Sequence, residues 1–256
     1  MNRNDSGARV ALVTGGAMGI GASISQQLAA KGHTVLVADI NLDAASKTAD
    51  ALVAAGHRAA PLQMDLGSPE SIAAAFAHIE KDYGRCDVLV NNAGVARTYS
   101  FLDYPLENWL QTMNVNVTGV LLAGQHAARL MVKQQWGRIV NISSISGIRA
   151  GAGRTAYGTS KAAVIGLTRQ MAIELAQYGI TVNSVAPGPV DTPMTQAMHS
   201  EQTRESYYRL VPMRRYGTTD EIASAVCYLA AEESAYITGH VIPVDGGFVA
   251  GGVLEI

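Results

Sequence analysis

Val10-Ala11-Leu12-Val13-Thr14-Gly15-Gly16-Ala17-Met18-Gly19-Ile20-Gly21 runs from four apolar residues into a glycine-rich turn, and an amphipathic stretch over 19–31 follows at once. Apolar strand, tight turn, helix is the entry to a crossover unit. Glycines let the backbone turn sharply and approach a ligand closely, and the helix N-terminus offers free N–H groups to an anion such as a pyrophosphate. The pattern repeats outward from there. Runs over 10–13, 34–38, 61–64, 87–90, 137–142, 180–185 and 241–244 read as strands. Stretches over 19–31, 43–55, 69–83, 106–133, 155–178 and 219–231 read as helices. Ser68 before Pro69 caps one helix and Asp43 opens the one before it. Gly32, Gly56, Gly84 and Gly179 stand where left-handed helix ends are expected. Strictly alternating strands and helices predict an α/β fold. It is a doubly wound, Rossmann-type parallel sheet of seven strands with helices on both faces, as a single domain over 1–256.

Ligands of such sheets sit outside the carboxyl ends of the strands. That directs attention to 14–21, Asp39, Asp65, 91–94, 143–147 and 186–192. Asp39 ends the second strand, 18 residues after Gly21, where a carboxylate accepts both hydroxyls of an adenosine ribose. The same charge repels a 2′-phosphate, and neither 15–21 nor 40–42 holds a Lys or Arg to receive one. The expected cofactor is NAD rather than NADP.

Tyr157 and Lys161 are four apart on an expected helix, so phenol and ammonium share a face. A phenol titrates near 10 and is a poor base at neutral pH. A neighbouring cation favours the phenolate, and a shift of about three units needs roughly 4 kcal/mol. Tyr157 then serves as general base for an alcohol and general acid for a carbonyl. Ser144, 13 residues earlier, is placed to orient the substrate oxygen.

The spacing Gly15-x-x-x-Gly19-x-Gly21 resembles the glycine motif of the short-chain dehydrogenase/reductase family, and the likeness extends over nearly the whole chain. Asp65-Leu66 matches the family position where a carboxylate meets the adenine amino group. Asn91-Asn92-Ala93-Gly94 matches its motif in which small residues lie against the cofactor and Asn side chains tie loops together. Asn114 occupies the family's fourth catalytic position, where a backbone carbonyl holds a water that links Lys161 to solvent. The segment from Ala186 through Thr192 matches the nicotinamide loop. There the Val190 backbone and the Thr192 hydroxyl take the carboxamide, which implies 4-pro-S transfer. The resemblance thus implies Asn114, Ser144, Tyr157 and Lys161 as catalytic residues. It implies cofactor contacts from Gly15, Met18, Gly19, Ile20, Gly21, Asp39, Ile40, Asp65, Leu66, Asn91, Ala93, Gly94, Tyr157, Lys161, Pro187, Gly188, Val190 and Thr192. It also implies a homotetramer paired through helices 106–133 and 155–178, and the apolar, glycine-rich composition of 245–256 is consistent with burial at a subunit contact.

Residues 193–216 are expected as a lid in which Met194, Met198, Tyr207, Tyr208 and Leu210 close an apolar wall over the substrate. Ser146 is a further candidate contact. Arg149 and Arg154 fit either an anionic substrate group or a solvated surface.

These features point to an NAD-dependent oxidoreductase acting on a small-molecule secondary alcohol or ketone, such as a polyol or hydroxyacyl compound. The alternatives are a 3-oxoacyl-thioester (acyl-carrier-protein) reductase, whose usual phosphorylated cofactor Asp39 disfavours, and a non-catalytic dinucleotide-sensing regulator. Net charge is −2, with no basic cluster for nucleic acid. Cys86 and Cys227 stand far apart with no CxxC or His cluster, so no metal site is expected and both read as free thiols of a reducing compartment. No run of about 18 apolar residues spans a membrane, and residues 1–9 are too polar to open a secretory signal. A cytoplasmic location is expected.

Overall fold

A computed structural model describes residues 8–252. Seven parallel strands form one sheet: β1 (Val10–Thr14), β2 (Thr34–Asp39), β3 (Arg58–Gln63), β4 (Val88–Asn91), β5 (Gly137–Ile142), β6 (Ile180–Pro187) and β7 (Val241–Val244). Their order is β3-β2-β1-β4-β5-β6-β7, so the chain reverses direction across the sheet between β1 and β4, and the ligand crevice of a doubly wound fold opens at that switch point.

Successive side chains of each central strand go to opposite faces, and both faces are apolar, as burial on two sides requires. Ala11, Val13, Val35, Val37, Val88 and Val90 pack on one side with α1 (Gly19–Ala30), α2 (Leu42–Ala54) and α9 (Thr219–Leu229). Leu12, Leu36, Leu89 and Ile139 pack on the other with α3 (Pro69–Tyr83), α5 (Gly119–Gln134) and α6 (Thr155–Leu175). Leu12 is wholly buried; truncating such a side chain to Ala costs about 2–5 kcal/mol.

Several boundaries differ from expectation for visible reasons. β3 begins at Arg58 rather than at residue 61, because it pairs only with β2 and its outward residues are exposed. An edge position also tolerates Pro61, which lacks a donor. Asp87 precedes β4: its carboxylate accepts from the Val10 N–H (2.7 Å) and pairs with Arg85 (2.7 Å). Asn41, not Asp43, caps α2, its Oδ1 accepting from the Ala44 N–H at 3.1 Å. The helix expected over 106–133 is α4 (Leu106–Met113) and α5 joined by a π-helical turn, Asn114–Thr118. The segment expected over 193–216 contains α7 (Pro193–Met198) and α8 (Glu201–Leu210). Gly32, Gly56, Gly84 and Gly179 all take positive φ, as expected. Leu106 and Leu110 on α4 and Ile173 on α6 leave apolar side chains exposed. The last four residues of the glycine-rich tail lie outside the described residues. Among the described residues no helix is long and apolar enough to cross a membrane.

Candidate functional site

A cavity of about 670 Å³ opens along the carboxyl ends of the strands. One end is made mostly of backbone. Gly15 has φ 60°, and a Cβ there would stand 2.9 Å from the Ala93 Cα. A Cβ on Gly21 would come within 2.0 Å of the Gly15 carbonyl oxygen, so only glycine lets α1 start this close to the turn. Gly21 therefore shapes the loop without lining the cavity, whereas Gly15, Met18, Gly19 and Ile20 do line it.

The switch point is cross-tied. The Thr14 hydroxyl accepts from the N–H groups of Asn92 (3.0 Å) and Ala93 (3.1 Å). Asn92 Nδ2 returns to the carbonyls of Thr14 (3.0 Å) and Gly15 (3.1 Å). Asn91 is a correction: it was expected at the cofactor, but its side chain is buried inside the sheet, donating to Asn141 Oδ1 at 2.8 Å. A strand-end residue and its neighbour point to opposite faces, so Asn92, together with Ala93 and Gly94, meets the cavity.

Asp39 stands on the same wall, steadied by the N–H groups of Ala17 (3.4 Å) and Asn41 (3.1 Å), with Ile40 exposed beside it. Asp65 accepts from the Gly67 N–H at 2.7 Å and, with Leu66, lines the cavity next to this end. The Asn114 side chain donates to the Gly67 carbonyl at 2.8 Å, which fastens the π-helical turn to that loop.

At the other end Ser144, Tyr157 and Lys161 converge. Lys161 is buried, and its Nζ donates to the Ile142 carbonyl (2.8 Å) at 5.7 Å from the Tyr157 ring centre. Burial brings the ammonium down to about 8. For Tyr157, burial pushes the phenol up from its ordinary value, while a hydrogen bond with Ser144 and the Arg154 charge pull it back down. Burial, Ser144 and Arg154 add to the expected electrostatics. Ser144 and Arg154 thus favour the phenolate alongside the Lys161 ammonium beside the ring.

The loop after β6 brings Pro187, Gly188, Val190 and Thr192 to the cavity. A Cβ on Gly188 would stand 2.6 Å from the Asp245 Cα. The Thr192 hydroxyl is engaged in a capping box with Thr195 at the start of α7, accepting from the Thr195 N–H at 3.2 Å.

Of the expected substrate contacts, Arg154, Met194, Met198 and Tyr207 line the cavity, and Tyr208 and Leu210 do not. Ser146 is also absent from the wall: it is buried and accepts from Arg154 Nη1 at 3.1 Å. Arg149 is exposed and turned away, donating to the Phe248 carbonyl at 3.0 Å over its ring. Residues unforeseen in the sequence also take part. Gln111 and His199 line the cavity. Asn116 holds Val95 at both its N–H (2.8 Å) and its carbonyl (2.9 Å) while donating to Ser160 Oγ (3.0 Å). The Asn-x-Asn spacing at 114–116 was the only signal for Asn116. His199 had none, because its partners Arg154 and Tyr216 are distant in sequence.

Residues 15–249 match a family model described as enoyl-(acyl carrier protein) reductase. The chain is 42% identical, over 93% of its length and 96% of the relative's, to 3-oxoacyl-(acyl-carrier-protein) reductase FabG of Aquifex aeolicus. It is 41% identical to the protein of that name from Thermotoga maritima, over 94% of this chain and 98% of the other. Among solved structures, gluconate 5-dehydrogenase of Burkholderia cenocepacia in complex with NADP and tartrate superposes with a TM-score of 0.93. That pair is 31% identical, covering 98% of this chain and 99% of that one.

Proposed function

Because the chain belongs to the short-chain dehydrogenase/reductase family, we propose that this oxidoreductase uses NADH to reduce a 3-oxoacyl compound, as thioester or free acid, to its 3-hydroxy form, with Tyr157 as proton donor. The observation that carries the chemistry is the meeting of Ser144, Tyr157 and buried Lys161 at one end of a crevice whose other end presents Asp39. The relatives named 3-oxoacyl reductases move this substrate ahead of the secondary alcohols and polyols favoured on sequence grounds. Two hydroxyls addressed to one oxygen also suit a carbonyl better than a carbon–carbon double bond.

The cavity fits a dinucleotide. Gly15 and Gly21 leave room for close backbone approach, and neither 15–21 nor 40–42 holds a Lys or Arg to receive a 2′-phosphate. Bound there, NADH supplies the hydride. Ser144 holds the carbonyl oxygen and Tyr157 gives it a proton as negative charge develops. Lys161, held by the Ile142 carbonyl, lies behind the phenol, and by family likeness the Asn114 backbone carbonyl would hold a water that returns the proton from solvent. In reverse, the same phenol accepts the proton of a hydroxyl. Val190 and Thr192, with Gly188 beside them on the wall, would hold the carboxamide end of the cofactor.

The structural neighbour with tartrate supports a second substrate form, a free hydroxy or oxo acid, and Arg154 on the cavity wall favours it. The family likeness also carries a homotetramer, for which Leu106, Leu110 and Ile173 offer exposed apolar surface.

The test is NADH consumption with acetoacetyl-pantetheine, acetoacetate and 5-oxogluconate, repeated with NADPH. Turnover of a 3-oxoacyl compound, faster with NADH, is expected. Absence of turnover on all three removes the proposed activity, and a preference for NADPH removes the Asp39 argument.

A further inference from the structure

Among the described residues, Arg154 on the cavity wall has no counter-charge. Arg154 sits at the N-terminal end of α6, three residues before Tyr157. Its Nη1 donates to Ser146 Oγ (3.1 Å), and its Nη2 donates to His199 Nε2 (3.0 Å). Both acceptors are neutral. Since Nε2 accepts, the imidazole proton is on Nδ1, 2.9 Å from the Tyr216 hydroxyl. Burial, then the charges of Arg154 and Arg204, bring His199 down to about 4, which keeps the ring an acceptor at neutral pH.

Among the described residues no carboxylate lies within salt-bridge distance of Arg154, whereas nearby Arg204 has Asp191 and Arg215 has Glu221. A partly buried guanidinium without a counter-ion is costly. Only two of its five N–H groups are used, leaving a fork suited to two-point contact with a carboxylate. Among the described residues of the lining, the acids are Asp39 and Asp65, at the glycine-loop end; Arg154 and Lys161 stand at the other, and Arg97 is a further cation of the wall. Residues three apart at a helix start have Cβ atoms about 5–6 Å from each other. A group on Arg154 and a carbonyl at Tyr157 can therefore belong to one short molecule.

We propose that Arg154 binds a carboxylate of the substrate, two or three bonds from the reacting carbon, and that Ser146 and His199 are positioning residues that aim its guanidinium. A single guanidinium with neutral supports matches one negative charge, which a free oxo or hydroxy acid provides and a thioester does not. The proposal rests on the hydride-transfer role of Tyr157 and chooses the acid form of the substrate.

Acetoacetate and methyl acetoacetate present the same ketone with and without the charge. Wild-type protein is expected to prefer acetoacetate in kcat/KM. Arg154→Gln should lower that preference about 10–100-fold, the range for hydrogen bonds to a charged group. Arg154→Lys should restore part of it, and Arg97→Gln should leave the ratio as in wild type. His199→Gln and Ser146→Ala should raise KM for acetoacetate more than for the ester. Equal losses on both substrates in Arg154→Gln, a ratio that responds only to Arg97→Gln, or a wild-type preference for the ester overturns the proposal. A calorimetric arm separates it from the catalytic role. Acetoacetate titrated into NADH-loaded Tyr157→Phe should release heat that the added Arg154→Gln substitution abolishes, even if no ketone is turned over. Unchanged binding in that double variant refutes the carboxylate contact by itself.

Discussion

At the glycine-loop end of the crevice, the surface a ligand meets is largely backbone. Gly15 and Gly19 line it, and Thr14 and Asn92 tie the two sides of the switch point with four hydrogen bonds. At the lid end, the surface is made of side chains from separate elements: Arg154 from the start of α6, Met194 and Met198 from α7, His199 after it and Tyr207 from α8. There the supports are aromatic. His199 stacks on Tyr207 with centroids 5.3 Å apart, and Tyr216 packs edge-on to both. A backbone surface accepts any ligand of the right shape and changes little with sequence. A side-chain surface can be rebuilt one residue at a time, so the first end suits a common cofactor and the second a particular substrate.

Substitutions at the two ends should therefore separate cleanly, and the largest effect belongs to the chemistry between them. Tyr157→Phe is expected to bind NADH as wild type does, by fluorescence titration, yet lose roughly 10²–10⁴-fold in kcat, the scale of general acid–base catalysis. Near-normal turnover would erase the distinction between binding and catalytic groups in this crevice. At the glycine-loop end, Asp39→Ala should cut the NADH-over-NADPH preference in kcat/KM by roughly 10-fold or more, since it removes charge-assisted acceptors and a like-charge repulsion together. The substrate preference should not follow; if it does, the ends are coupled. The smallest effect is on stability. His199, lowered to about 4, binds fewer protons folded than unfolded between that pH and its ordinary 6.5. Stability contributed by the neutral ring is thus present above pH 6.5 and lost as pH falls toward 4. Melting temperatures of His199→Gln should fall less steeply than those of wild type across this window. Parallel curves would mean the ring is not held neutral by its burial.

The same contrast explains what could be read from sequence. The glycine loop, Asp39, and the Tyr157–Lys161 pair are local: their spacing along the chain is their spacing in the fold. The parallel sheet follows from alternation and right-handed crossovers, whereas its strand order does not, since more than one order satisfies them. The errors fall where one residue's facing decides the outcome. Asn91 and Asn92 are adjacent, and only their positions at the end of β4 determine which is buried. Arg149 and Arg154 looked equivalent, but the loop between them sends one to Phe248 and the other into the cavity. His199 gains its role from partners 45 and 17 positions away, which no local pattern encodes. The phenol's electrostatics also needed three dimensions, because burial shifts Tyr157 and Lys161 in opposite directions.

The wide turn at Asn114–Thr118 has a mechanical consequence. In a regular α-helix, residues five apart point about 140° away from each other. With i→i+5 closure, Asn114 and Gly119 are stacked on one side, the Gly119 N–H meeting the Asn114 carbonyl. Asn114 thereby grips the Gly67 carbonyl while Gly119 rests against that of Leu66, where a Cβ would stand 2.5 Å away. One helix thus rivets two successive peptide units of the loop beside Asp65. Removing a single residue from this turn would swing everything beyond it round by about 100° and release one rivet, so the helix is more vulnerable to a change in residue count than to most changes of residue type.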